Sequence, residues 1–226
     1  LPQHLPDRAD MRVAALNEPG DHVSGDYYDV IELEDGRLAF LIADVTGEGV
    51  AASLLMAHLQ AAVRVTLPEN PEPGILLGKW NDLILNNTDA SRFVTCLLGM
   101  IDPEKRTMRL SSAGHHMPIL VRPGKALEPV VLEPGFPLGV IEDTTYEAAE
   151  IDLGAGDVTI MTYTDGVIEA MNHQKELFGM HRLEAMLREH SDANPAALVK
   201  QLRQAVQQHA GGCPQSDDIT ILVLNL

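Results

Sequence analysis

The chain has 226 residues, 45% of them hydrophobic, enough to bury one sizeable core as one large or two small domains. Its formal net charge of −17 weighs against nucleic acid or an anionic membrane surface as partner. Its apolar runs fall short of the roughly 20 residues of a membrane helix, the opening segment lacks the basic-then-apolar pattern of a signal peptide, and two cysteines, Cys96 and Cys213, suit a reducing cytoplasm better than a disulfide framework.

Met11–Leu16, Tyr27–Leu33 and Leu38–Ala43 read as strands, and Glu34-Asp-Gly-Arg37 between the last two is a hairpin signal. Val50–Val65, rich in Ala and Leu, reads as a helix. So does Pro73–Asn86, with Leu76, Trp80, Leu83 and Ile84 on one stripe. Phe93–Ile101, Met108–Ser112 and Ile119–Val121 follow as strands, and Val158–Thr164 is a β-rich run of the kind found deep in a sheet. His181–Glu189 reads as a helix. Asn194 then caps, and Pro195 opens, another that runs to about His209 and stops at Gly211-Gly212. Ile219–Leu224 is the last strand. Short turns between strands imply antiparallel pairing, and the helices come in two pairs. The expected fold class is therefore α+β, a four-layer α-β-β-α sandwich of two mostly antiparallel sheets flanked by helical pairs.

The acidic residues gather at strand ends. Leu38–Ala43 terminates in Asp44, Val158–Thr164 terminates in Asp165, and Asp217-Asp218 precede Ile219–Leu224. With the last strand antiparallel to the other two, these acids share one rim of a sheet. A hairpin turning at Glu34-Asp35-Gly36 with a glycine bulge adds Asp26 opposite Asp44, with Cβ atoms about 4.5–5.5 Å apart. Carboxylates that close repel one another unless a cation intervenes. An all-oxygen set favours Mg²⁺ or Mn²⁺ over zinc. Taken singly, each Asp could be a turn former or a helix cap; taken together they read as a cation site.

Five motifs occur in order: Gly25-Asp-Tyr-Tyr-Asp29, Ala43-Asp-Val-Thr-Gly-Glu-Gly49, Ser112-Ala-Gly-His115, Tyr163-Thr-Asp-Gly-Val-Ile-Glu-Ala170 and Asp217-Asp-Ile-Thr220. Phe136-Pro-Leu-Gly139 and the Leu177-Phe-Gly before Arg182-Leu183 add smaller matches. This ordered set resembles the PPM-type (metal-dependent, type 2C) protein phosphatases. Within them it is similar to the branch of stage II sporulation protein E and the sigma-factor regulator phosphatases. The resemblance covers essentially the whole chain and implies one PPM-type phosphatase domain over 1–226 with two Mn²⁺ or Mg²⁺ ions. Carried over by motif, Asp44 would bridge both metals, with Asp26 and the backbone carbonyl of Val45 beside it. Asp165 and Asp217 would complete the other metal, and Asp218 would stand next to the ligands rather than among them. The implied catalytic set is Asp26, Asp44, Asp165 and Asp217.

The implied reaction is hydrolysis of phosphoserine or phosphothreonine in a protein by a water activated between two metals. The implied substrate is a phosphorylated anti-sigma-factor antagonist. An alternative is an inactive phosphatase-like domain that binds a partner without hydrolysis. His115 is either a proton donor to the leaving group or a structural histidine closing a turn. Arg92 and Arg12 are candidate phosphate clamps without a supporting motif, and Glu48 is expected to favour a helix N-terminus. The two helices Val50–Val65 and Pro73–Asn86 resemble elements that carry regulation and dimer contacts, so a homodimer is a further expectation. The start without Met, and Gln3-His-Leu-Pro6, suggest that residues 1–10 form a junction to an upstream receiver or sensor module, as in two-component regulation.

Overall fold

The computed structural model describes residues 1–2, 4–6, 8–47, 49–69, 72–88 and 92–226. In chain order the elements are β1 (Arg12–Glu18), β2 (Tyr27–Glu32), β3 (Leu38–Val45), α1 (Gly49–Thr66), α2 (Pro73–Asn87), β4 (Val94–Asp102), β5 (Thr107–Ala113), β6 (Ile119–Val121), β7 (Glu128–Pro129), β8 (Ala149–Asp152), β9 (Thr159–Tyr163), α3 (Gly166–Glu169), α4 (Gly179–Glu189), α5 (Pro195–Ala210) and β10 (Ile219–Asn225). They form two compact units. The first is built from Leu1–Pro6, Val23–Met117 and Val131–Ala155, the second from Asp7–His22, Pro118–Val130 and Gly156–Leu226.

The first unit is an antiparallel sheet in the order β2-β3-β4-β5-β8, covered by α1 and α2. Alternation along β3 sends Ala39, Leu41, Ala43 and Val45 to the helix side. There they meet Leu59 and Val63 of α1 and Leu76, Trp80 and Ile84 of α2. The Trp80 indole N–H donates to Thr66 Oγ1 at 2.9 Å, tying α2 to the end of α1. Beneath α1, the wholly buried Asp29 takes a 2.6 Å ion pair from Arg64 and accepts the Tyr27 hydroxyl at 2.8 Å. Burial and the neighbouring Asp29 charge push the Tyr27 phenol well above its usual range. Among the described residues α1 is the one helix with the length and composition of a membrane span, at 18 residues and mean hydropathy 1.2. One such helix is weak evidence, and its Ala52, Leu55, Leu59, Ala62 and Val63 are buried in the core of the first unit. Its other side leaves Val50, Leu54 and Val65 exposed, which core packing does not explain.

The second unit is an antiparallel sheet in the order β1-β10-β9-β6-β7, with α5 against β1 and β10. Leu198, Leu202 and Val206 of α5 share a core with Leu183 and Leu187 of α4 and with Tyr163, Ile221 and Val223 of the sheet. The ends of α5 match the sequence reading. The Asn194 side chain accepts from Ala197 N–H at 2.9 Å, Pro195 is first in the helix, and Gly211 ends it at φ 60°.

Two antiparallel sheets with helical pairs, an α+β fold, agree with expectation. One expectation fails: β3 does not share a sheet with β9 and β10. The short β2–β3 hairpin fills one edge of β3, and β4, returning after α1 and α2, fills the other, leaving no edge for β9 or β10. Elements the patterning missed are β7, β8 and α3, of 2, 4 and 4 residues. They are too short to show a period.

Candidate metal centre

The acids therefore form two separate pairs, one in each unit. In the first unit the hairpin is as the sequence implies. Leu33 N–H donates to Arg37 O at 2.8 Å, Gly36 N–H to Leu33 O at 2.9 Å, and Gly36 takes φ 84°, the left-handed conformation of a glycine bulge. The ladder runs from Glu32↔Leu38 to Tyr27↔Ala43, and the same register one step further faces Asp26 with Asp44. Gly25 follows suit, since a Cβ there would come within 3.2 Å of the Val45 carbonyl oxygen. Asp26 is buried and Asp44 half-buried, and Asp44 continues β3 rather than ending it.

Several hydroxyls hold this rim. Ser24 Oγ accepts from Asp26 N–H at 3.0 Å, while Ser53 of α1 donates to Ser24 O at 2.9 Å. Thr46 Oγ1 accepts from Phe93 N–H at 3.0 Å, fastening the end of β3 to the start of β4. None of these hydroxyls was singled out in the sequence, where a lone Ser or Thr carries no pattern. His115 is buried and belongs to a turn: its N–H donates to Ser112 Oγ at 3.1 Å and its Nδ1 lies 2.8 Å from Thr95 Oγ1. Thr95 is the residue across from Asp44. The turn-closing role is thus the one the geometry carries. Arg92 faces a cavity of about 440 Å³ with Leu54 and His58 of α1. Arg12 opens β1, and Glu48 and Gln3 lie outside the described residues.

In the second unit the acids sit beyond the strands. The β9–β10 ladder ends at Tyr163↔Ile221 and is extended by Thr164: its N–H donates to Thr220 O at 3.0 Å, and its Oγ1 accepts from Thr220 N–H at 2.9 Å. Asp165 and Gly166 then come against Asp217 and Asp218. A Cβ at Gly166 would lie 2.0 Å from the Asp218 carbonyl oxygen and 3.5 Å from Asp217 Cβ, so only glycine permits this approach. The Asp218 carboxylate is engaged by Gly20 N–H at 2.7 Å, and Asp217 Oδ1 accepts from Asp218 N–H at 2.8 Å.

Asp165 precedes α3 yet makes no capping hydrogen bond, and its Oδ1 is buried with no hydrogen-bond partner. A buried carboxylate oxygen left this way costs about 1–3 kcal/mol or more. The helix-cap explanation of Asp165 fails on that geometry, and a cation ligand fits it. Among the described residues no group of three or more His, Cys, Asp or Glu side chains is assembled to hold a metal by itself.

A family model described as stage II sporulation protein E (SpoIIE) matches residues 34–226. The chain is 28% identical to Protein IcfG of Synechocystis sp., over 99% of this chain and 39% of the relative. It is 26% identical to the phosphoserine phosphatase RsbU of Bacillus subtilis, over 97% of this chain and 64% of the relative. The chain thus spans between about two fifths and two thirds of the length of these curated relatives. Among solved structures, the SiaA-PP2C domain of Pseudomonas aeruginosa superposes with a TM-score of 0.83 at 23% identity, covering 95% of this chain and 85% of that one. RsbX in complex with magnesium superposes with a TM-score of 0.71 at 18% identity, covering 99% and 98%.

Proposed function

The chain belongs to the stage II sporulation protein E family, and from that premise we propose that it is a metal-dependent phosphoserine/phosphothreonine protein phosphatase. Asp26, Asp44, the Val45 carbonyl, Asp165 and Asp217 are the residues that would hold two Mn²⁺ or Mg²⁺ ions. The observation that carries this reading is the buried, partnerless Asp165 Oδ1, which lies within the stretch that the family model matches. A magnesium complex of the structural relative RsbX supports the class of ion.

When bound, such ions supply Lewis acidity, lowering the pKa of water and neutralising charge on the phosphoryl oxygens. The protein's own part is positional. The hairpin register sets Asp26 against Asp44. Gly166 lets Asp165 approach Asp217, and Gly20 N–H keeps the Asp218 carboxylate occupied beside the pair. Four carboxylates nearly balance two dications, so a dianionic phosphomonoester is still attracted.

The relative named phosphoserine phosphatase RsbU supports phosphoserine as the substrate group, and the family resemblance of the motifs is the ground for proposing an anti-sigma-factor antagonist in cytoplasmic signalling as the phosphoprotein. A sensor or receiver module is proposed as the regulating partner, in keeping with relatives longer than this chain. The exposed Val50, Leu54 and Val65 on α1 support a homodimer.

The test is phosphate release from a phosphoserine peptide after stripping with EDTA and titrating Mn²⁺. Wild type regains turnover with Mn²⁺, and Asp44→Ala loses on the order of 10³-fold, the several kcal/mol that bound cations provide. Unchanged turnover in Asp44→Ala refutes the site assignment.

A further inference from the structure

A part-enclosed cavity of about 490 Å³ lies wholly within the second unit, and Asp217 forms part of its wall. That volume is in the range of pockets that take ligand groups, roughly 300–1,000 Å³. Its lining is mainly apolar, with Ala170, Met171, Val206, Ala210 and Ile219 inside and the Arg203–Glu18 ion pair beside them.

The walls are built rather than loose. Gln215 Nε2 donates to both Glu18 O (2.8 Å) and Asp217 O (2.7 Å), joining the end of β1 to the loop before β10. The segment after α3 is clasped to the end of α5 twice: His209 Nε2 donates to Glu176 O at 2.9 Å, and His173 Nε2 donates to Gly211 O at 3.2 Å. Phe178 packs edge-on against the His209 ring, with centroids 5.7 Å apart.

We infer that this cavity is a specificity subsite that receives an apolar side chain of the phosphoprotein, close in sequence to the phosphoserine. The inference rests on the phosphatase reading and deepens it. The occupant follows from continuity: the cavity shares Asp217 with the set proposed to hold the ions, so a side chain that fills it lies next to the place where the phosphate would react. An extended peptide advances about 3.3 Å per residue and returns a side chain to the same face every second residue. A phosphoserine beside Asp217 therefore offers the cavity the side chain two positions away. An acidic side chain is disfavoured there by the apolar lining and by Glu18 and Asp217.

The experiment compares two phosphoserine nonapeptides that differ only in Leu or Asp at the positions two residues either side of the phosphoserine. p-Nitrophenyl phosphate serves as a substrate without flanks. Wild type is expected to favour the Leu peptide by about tenfold or more in kcat/KM, the discrimination an apolar pocket can provide. Filling the cavity removes that preference, by Ala210→Phe or by N-ethylmaleimide on Cys213, which lines it. Cys213→Ser treated with the same reagent keeps the preference, because Cys96 is wholly buried. The ratio between peptides is the readout, since general damage to the fold lowers both alike. Equal use of the two peptides by a wild type that cleaves p-nitrophenyl phosphate overturns the subsite, and so does a preference that survives filling by both routes. A wild type that cleaves none of the three overturns the phosphatase reading itself.

Discussion

The two carboxylate pairs are positioned by different physics. Asp26 and Asp44 sit on a continuous ladder, where six backbone pairs from Tyr27↔Ala43 to Glu32↔Leu38 share the work of alignment. Asp165 and Asp217 lie past the last paired residues of β9 and β10, held by Thr164, by Gly20 and by the close approach at Gly166. A pair set by register is redundant: no single contact decides it. A pair set by one sub-van-der-Waals tolerance is not, and a single methyl group should disturb it.

Gly166→Ala is therefore expected to give the largest effect among substitutions that keep every carboxylate. The new methyl would lie 2.0 Å from Asp218 O, so backbone must move by roughly an ångström. Displacement on that scale can cost on the order of 10²-fold in rate. Phosphate release from a phosphoserine peptide should fall by that much, with the half-saturating Mn²⁺ concentration raised. Undiminished turnover at an unchanged Mn²⁺ midpoint would mean that the approach at Gly166 does not set this pair.

Next is Arg64→Met, which strips Asp29 of its counter-charge beneath α1. Removing one partner of a buried pair costs about 3–5 kcal/mol. Here the Arg64 side chain is 48% exposed while Asp29 is fully buried, and Asp29 keeps Tyr27 and the Val30 N–H, so about 2 kcal/mol is expected. Urea unfolding should shift by that amount, while turnover well below the midpoint stays near wild type. A fall in turnover without a stability change would show that the α1 anchor acts on Asp26 and Asp44 after all.

These contrasts also explain what the sequence could and could not disclose. The first pair was legible because a hairpin of known bulge type converts spacing into register: Glu34-Asp35-Gly36 places Asp26 across from Asp44 by counting. The caps of α5 were legible for the same reason, since Asn194, Pro195 and Gly211 each have a local conformational cause. The partition of strands into sheets was not. Val158–Thr164 and Leu38–Ala43 look alike as apolar runs, and only pairing over long sequence separations decides their neighbours. The Arg64–Asp29 pair spans 35 residues and has no pattern to betray it. The role of Gly166 was hidden because glycine in Thr-Asp-Gly reads as a turn, whereas its function is proximity to a segment more than 50 residues away.

Two smaller substitutions sharpen the comparison from the side of stability. Gly36→Ala meets no atom within 4 Å, so its cost is the left-handed backbone alone, about 1–2 kcal/mol. If register is redundant, the Mn²⁺ midpoint stays at the wild-type value while the urea midpoint falls. A shifted Mn²⁺ requirement would show instead that the turn, not the ladder, aligns Asp26 with Asp44.

The smallest effect is expected at Asn194→Ala, which removes the side-chain acceptor for Ala197 N–H and should cost about 1 kcal/mol. Its value is that it weakens α5 at the end opposite the Asp217 cavity, which is lined from Arg203 onward. Hydrogen exchange should accelerate at the first-turn amides of α5, Ala197 above all, and leave those near Val206 protected. Asn194→Asp, which keeps an acceptor and adds a charge suited to a helix N-terminus, should restore protection. Loss of protection along the whole of α5 would mean that the helix opens as one unit. The cavity beside Asp217 would then depend on a cap some 20 residues upstream, and the second pair would be as distributed in its support as the first.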